Sequence, residues 1–118
     1  MKEALCLDVL DKDGVRVIFT KKQRLLKMEK HAELREEAFL ARLTEAIRRP
    51  SFIYANFDRP LKRQALYFRE FKFNGRIRYI KVILERRRTH FFLITAYRPD
   101  YVKERGKTRL LYGNDNNE

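Results

Sequence analysis

A chain of 118 residues suffices for one domain with a single modest core, and its 44% hydrophobic content can fill that core. That content excludes a disordered chain, even though 37% of the residues are charged. The formal net charge is +12, and one stretch carries all of it: residues 59 to 109 hold 16 Lys and Arg against 4 Asp and Glu, whereas the remainder holds 12 of each.

A basic half of this kind attracts polyanions and speeds their encounter, so a nucleic acid is favoured over a merely solubilising surface. An anionic membrane is a poorer match, because the charges fall on strand-like segments rather than on an amphipathic helix. No apolar run approaches the roughly 20 residues of a membrane span. The opening "MKEALCLDVLDKDG" carries acidic residues where a secretion signal would be apolar. Cys6 is the lone cysteine and allows no internal disulfide. A cytoplasmic protein is expected, with Cys6 as packing in an apolar strand rather than a nucleophile.

In chain order, "ALCLDVL" alternates around Leu5, Leu7 and Val9, "DKDG" supplies a turn and "VRVIFT" returns, which predicts a hairpin with Gly14 at positive φ. Thr20 stands where a helix N-cap belongs. Residues 21 to 49 contain no Gly or Pro, and Leu25, Met28, Ala32, Phe39, Leu43 and Ala46 form an apolar stripe that fails around Arg35 and Glu36. One helix of that length would span about 43 Å, long for so small a domain. Two helices are expected instead, broken between His31 and Leu34 and ended by Pro50. "SFIYANF" reads as a short strand. "QALYFREFKF", Asn74-Gly75 and "RIRYIKVILE" form the strongest local signal, a type I′ hairpin. After "ERRRT", the stretch "HFFLITAY" forms the next strand. Leu110 to Tyr112 add a short edge strand to residues 110 to 118, which are otherwise expected to be a flexible tail. The fold class is α+β, with an N-terminal hairpin, one or two helices and an antiparallel meander, in one domain.

With a two-residue turn at Asn74-Gly75, Arg69 would face Ile80 and Tyr67 would face Val82. The turn after Glu85 then decides the neighbours of Thr95 and Tyr97. A two- or four-residue loop places them beside Arg69 and Arg78, and a three-residue loop, 86 to 88, beside Tyr79 and Lys81. The three-residue loop is preferred, because it gathers Ile80, Val82, Leu84, Phe92, Ile94 and Ala96 into one core face. In either register a solvent-side patch of hydroxyl, phenol and cation is expected. Such a patch suits a phosphodiester, although Thr and Tyr are also ordinary strand residues. His31, in "MEKHAELREEAF", is the natural candidate for proton transfer, weighed against an exposed helical histidine without a role. No His or Cys pair has metal-ligand spacing, and no phosphate-cradling glycine motif occurs. A nuclease of this composition would be metal-independent and would use the 2′-hydroxyl of RNA as its nucleophile.

The stretch "DVLDKDGVRVIFTKKQRLLKMEKHAELREEAFLARLTEAIRRPSFIY" resembles the opening of phage-type nucleases of the barnase–EndoU–colicin–RelE-like fold. Those begin with a short hairpin, a helix ending in a histidine motif similar to "KHAEL", and a helix closing at "AIRRPSFIY". The later "ALYFREF", "RYIKVIL" and "FLITAYRPD" are similar to that family's strands, the last carrying its ITAY-like motif. The resemblance covers about residues 5 to 100. Family members usually have Pro after the motif histidine, where this chain has Ala32.

The resemblance implies a single nuclease-like domain over residues 1–118 with a twisted, barnase/RelE-like sheet. It makes His31 the candidate acid or base, Thr95 and Tyr97 the hydroxyl groups at the scissile phosphate, and Lys81 the transition-state cation. Arg69 is the alternative cation in the other register. Arg69, Arg78, Arg86, Arg87, Arg88 and Arg98 are the candidate RNA contacts. The expected activity is a metal-independent endoribonuclease acting by 2′-hydroxyl transesterification, without cofactor. Its expected partners are RNA and an inhibitory protein. The alternatives are a non-catalytic RNA-binding module on the same fold and a structural protein of phage or mobile-element origin.

Overall fold

Residues 3 to 115 are described by a computed structural model. Strand β1 (Leu5–Leu10) turns through Gly14, at φ 79°, into β2 (Arg16–Thr20). The Asp11 carboxylate accepts the N–H groups of Asp13 and Val15 and fixes that turn. Thr20 then caps α1 (Lys21–Lys27), its hydroxyl accepting the Gln23 N–H at 3.0 Å. A 3-10 turn (Ala32–Arg35) follows, and then α2 (Glu37–Arg48). The expected break is therefore present, and Ala32 opens the 3-10 turn at a position a proline would also suit. Helix α2 buries Phe39, Leu40, Leu43, Ala46 and Ile47 along one face. No helix among the described residues is long and apolar enough to cross a membrane.

The remaining strands are β3 (Phe52–Ala55), β4 (Arg63–Phe73), β5 (Arg76–Arg86), β6 (Phe91–Tyr97) and β7 (Leu110–Gly113). Asn74 and Gly75, at φ 50° and 75°, form the expected type I′ turn. All seven strands join one sheet in the order β1-β2-β6-β5-β4-β3-β7. The N-terminal hairpin is fused to the meander by a parallel pairing of β2 with β6, at Val17–Phe91 and Ile18–Phe92. Residues 110 to 115 are not a loose tail. Strand β7 pairs with β3, and the Asp115 carboxylate accepts hydrogen bonds from Arg105 and Tyr54. Residues 116 to 118 of the expected tail lie outside the described residues.

Two bulges set which side chains share a face. Glu70 is the extra residue between the Phe71–Arg78 and Arg69–Tyr79 pairs, so Arg69 faces Tyr79 and Tyr67 faces Lys81, not Ile80 and Val82 as expected. Ile94 is the extra residue between Leu84–Leu93 and Ile83–Thr95. The β5–β6 loop has four residues, 87 to 90, between the paired Arg86 and Phe91, rather than the expected three. The Ile94 bulge restores the parity, so Tyr97 still shares a face with Lys81 and lies directly opposite it. Gln23 Nε2 donates to the Ile94 carbonyl at 2.7 Å, which satisfies an acceptor at the bulge.

Each side of the sheet therefore has its own core. Leu66, Phe68, Ile80, Val82, Leu84, Leu93 and Ala96 pack against α2, with Leu93 taking the place expected for Phe92 and Ile94. On the other side Phe52, Tyr54, Ala65, Tyr67 and Tyr79 pack with Val102. This second side was expected to face solvent. It is covered because the chain after β6 folds back across it and lays Val102 and Glu104 on the sheet, 5% and 0% exposed.

Candidate functional site

The candidate site forms where β6 ends and the covering segment begins. The His31 backbone is held from both directions, its N–H bonded to the Lys27 carbonyl and its own carbonyl accepting the Leu34 N–H. This places the imidazole flat on the Tyr97 ring, with centroids 4.0 Å apart and planes 3° from parallel. Two residues that lie 66 positions apart in sequence thus form one surface. Tyr97 and Lys81, together with Arg98, Pro99, Asp100, Tyr101 and Lys103, line a hollow of about 220 Å³.

Lys81 is 2% exposed and pairs with Glu104, Nζ to Oε2 at 3.2 Å. Glu104 also accepts the Tyr67 hydroxyl at 2.6 Å and the Phe57 N–H at 3.1 Å. Lys81 therefore is not a free surface cation. It lies at the edge of the hollow, 5.9 Å from the Tyr97 ring centroid, anchored by a buried carboxylate. Burial pulls its ammonium down from the ordinary lysine range, and the Glu104 charge opposes that pull. Glu104 was not picked out in the sequence. Its signal is the one acidic side chain among the cations of "VKERGKTR".

The titration of the stacked pair is split in a useful direction. Burial lowers the His31 pKa from its ordinary 6.5, with Glu33 opposing and Lys30 and Lys27 adding to the fall, so the ring is neutral at pH 7. Burial raises the Tyr97 phenol, as do the charges around it, Glu104 foremost. One group is a proton acceptor and the other a proton donor, as acid–base chemistry needs.

Thr95 lies on the same side of the sheet as Tyr97 but not at its surface. It is 6% exposed, and its hydroxyl is buried without a hydrogen-bond partner among the described residues. Such a hydroxyl costs about 1–3 kcal/mol of desolvation. Thr95→Val is therefore expected to raise stability by up to about 1 kcal/mol in urea unfolding, since the shape is kept and an unpaired polar atom removed. A loss of stability would show that the hydroxyl does find a partner.

The arginines divide into three groups. Arg98, at the hollow, grips Glu70 in a bidentate pair of 2.7 and 3.0 Å, and its backbone N–H donates to Glu33. It is already neutralised, which weakens its expected role at a phosphate. Arg69 stacks over Phe52 and donates to the Asn114 carbonyl, and Arg78 lies over Phe73 in the β4–β5 hairpin. Arg86, Arg87 and Arg88 belong to the opposite end of β5, about 16 Å along the strand from Lys81. Arg87 is bound to Glu85 and covers Phe92, whereas Arg86 and Arg88 are exposed and in no ion pair among the described residues. Arg86 instead lines a larger basic hollow of about 530 Å³ with Lys62, Arg63, Lys107 and Arg109. Among the described residues no group of three or more His, Cys, Asp or Glu is placed to hold a metal ion.

Comparison with curated proteins and with solved structures returned no match. A family model does match, and it runs from within β1 to the end of β7. On residues 8–113 the chain belongs to the family described as phage-Barnase-EndoU-ColicinE5/D-RelE like nuclease2.

Proposed function

We propose that the protein is a metal-independent endoribonuclease whose active site is the hollow at the end of β6. The observation that carries this reading is the stack of neutral His31 on protonated Tyr97, beside the Lys81 ammonium. A phosphodiester in the hollow would be attacked by its own 2′-hydroxyl, whose proton passes to His31. As the 2′-oxygen–phosphorus bond forms, the bond to the 5′-oxygen breaks. Tyr97 protonates the leaving oxygen, a far stronger base than a phenolate, and the two side chains return to their starting forms by exchange with water. Lys103, whose pairing with the exposed Asp58 is loose at 3.7 Å, supplies positive charge where the phosphorane gathers negative charge, and Lys81 adds to it from its buried pair with Glu104. Thr95, with its hydroxyl buried beneath the surface, has no part in this scheme.

The pH profile tests the assignment. His31 must be neutral to accept a proton, so the rate falls on the acid side, with an apparent pKa below 6.5. Stability moves in the same direction. A histidine whose folded pKa is lowered binds fewer protons than the unfolded chain, so folding weakens as pH falls through the unfolded value near 6.5. An acid limb above 7, or one unchanged in His31→Ala, would contradict the assignment.

A further inference from the structure

The β4–β5 hairpin reaches beyond the sheet that holds it. Strand β3 pairs with β4 only up to Tyr67, and β6 pairs with β5 only up to Lys81. Residues 71 to 78 therefore stand out as a two-stranded finger. Its cross-strand pairs are Phe71 with Arg78 and Phe73 with Arg76, which place two rings and two guanidinium groups on one face. The Glu70 bulge creates this face. Without the extra residue, Phe71 and Phe73 would continue the line of Tyr67.

Folding alone gives no reason for this composition. Phe71 and Phe73 are 50% and 54% exposed, on a hairpin of a kind that is marginal in water. Lys72, Arg76 and Arg78 form no ion pair with a carboxylate among the described residues. The nearby Glu70 is already held by Arg98 and Arg42. Rings two residues apart along a strand lie about 7 Å from one another, so neighbouring bases of one nucleic acid strand can each meet a ring. The ring face continues the α2 side of the sheet, in line with Ile80 and Val82, whereas Lys81 and Tyr97 lie on the other side, so the finger meets the hollow at its edge. Arg76 donates to the Asp100 carbonyl at 3.4 Å, and Asp100 and Tyr101 line both the hollow at Lys81 and a second one beside Arg76.

The geometry points to the finger as a single-strand platform on which unpaired bases stack on Phe71 and Phe73 while Arg76 and Arg78 meet the flanking phosphates. It deepens the ribonuclease reading by naming its substrate class as unpaired RNA. An acidic protein partner is less suited, because the face offers flat aromatic surface interleaved with cations rather than a continuous apolar patch.

The test uses the full chain and a short single-stranded DNA oligonucleotide, which lacks the 2′-hydroxyl and so stays intact, with its duplex as control. Phe71→Ala and Phe73→Ala should each weaken single-strand binding about tenfold or more, at unchanged melting temperature and unchanged salt slope. Arg76→Gln and Arg78→Gln should each reduce that salt slope. The chain has no tryptophan, so Phe73→Trp introduces one indole, whose emission should be quenched on binding at near-wild-type affinity. Wild-type affinity in both alanine variants, equal affinity for the duplex, or an unquenched indole would overturn the platform. An acidic protein partner lost in those variants, with oligonucleotide binding intact, would do the same. Cleavage of RNA by the wild type is a separate readout. Binding on the finger without cleavage leaves the platform standing and ends the ribonuclease reading. Cleavage that is indifferent to Phe71 and Phe73 does the reverse.

Discussion

His31→Ala is expected to lower RNA cleavage by about 10²–10⁴-fold, the range for losing a positioned acid or base. The same change removes the stack on Tyr97, which is worth about 0.5–1.5 kcal/mol, so a small stability loss accompanies it. His31→Phe separates the two effects. A phenyl ring can keep the stack, but it cannot carry a proton. Stability near wild type with cleavage as low as in His31→Ala assigns the ring a chemical role. Recovery of cleavage in His31→Phe would reduce His31 to packing.

Lys81→Ala should cost about 3–5 kcal/mol in urea unfolding, a large share of the 5–15 kcal/mol typical of a domain. The cause is the carboxylate left behind. Glu104 is 0% exposed and would lose its only cation among the described residues, keeping the Tyr67 hydroxyl and the Phe57 N–H. Glu104→Gln in the Lys81→Met background should cost much less than the sum of the two single changes, because neither uncompensated charge then remains. Additive and small losses would show that the pair is not coupled. The consequence for function is direct: lost cleavage in a Lys81 variant speaks to chemistry only where the fold is intact.

The pair also shows why part of the site was hidden in the sequence. Alternation along "HFFLITAY" correctly grouped Thr95 with Tyr97 and Lys81, yet it did so through a three-residue loop that does not exist. The real loop has four residues, and a bulge at Ile94 compensates for it. Neither bulge carries Gly or another local mark. The bulges are held by tertiary partners instead, Gln23 at Ile94 and Arg98 with Arg42 at Glu70. Local signals were clear where the physics is local, as in the Thr20 cap, the Asn74-Gly75 turn and the helix break at His31. They were silent on what covers the second side of the sheet. Val102 and Glu104 are two positions apart in a basic, polar stretch, and only the fold-back of that stretch turns both inward. Thr95 and Lys81 were expected at the surface for that reason, and both are buried.

The stack of His31 on Tyr97 answers why an apolar strand ends in a phenol. Tyr97 lines the hollow and carries on its ring a histidine from a different element. The family match states that the chain is a nuclease-family member. The side chains around that hollow are what make RNA and its own 2′-hydroxyl the proposed substrate and nucleophile.

The most direct measurement is phosphorus NMR of a short single-stranded RNA incubated with the protein in excess chelator, beside the same RNA carrying a deoxynucleotide at the cleaved position. The account predicts 2′,3′-cyclic phosphate ends from the first and no break at the substituted position in the second. Cleavage that stops on chelation, or that proceeds through the deoxynucleotide, would contradict it.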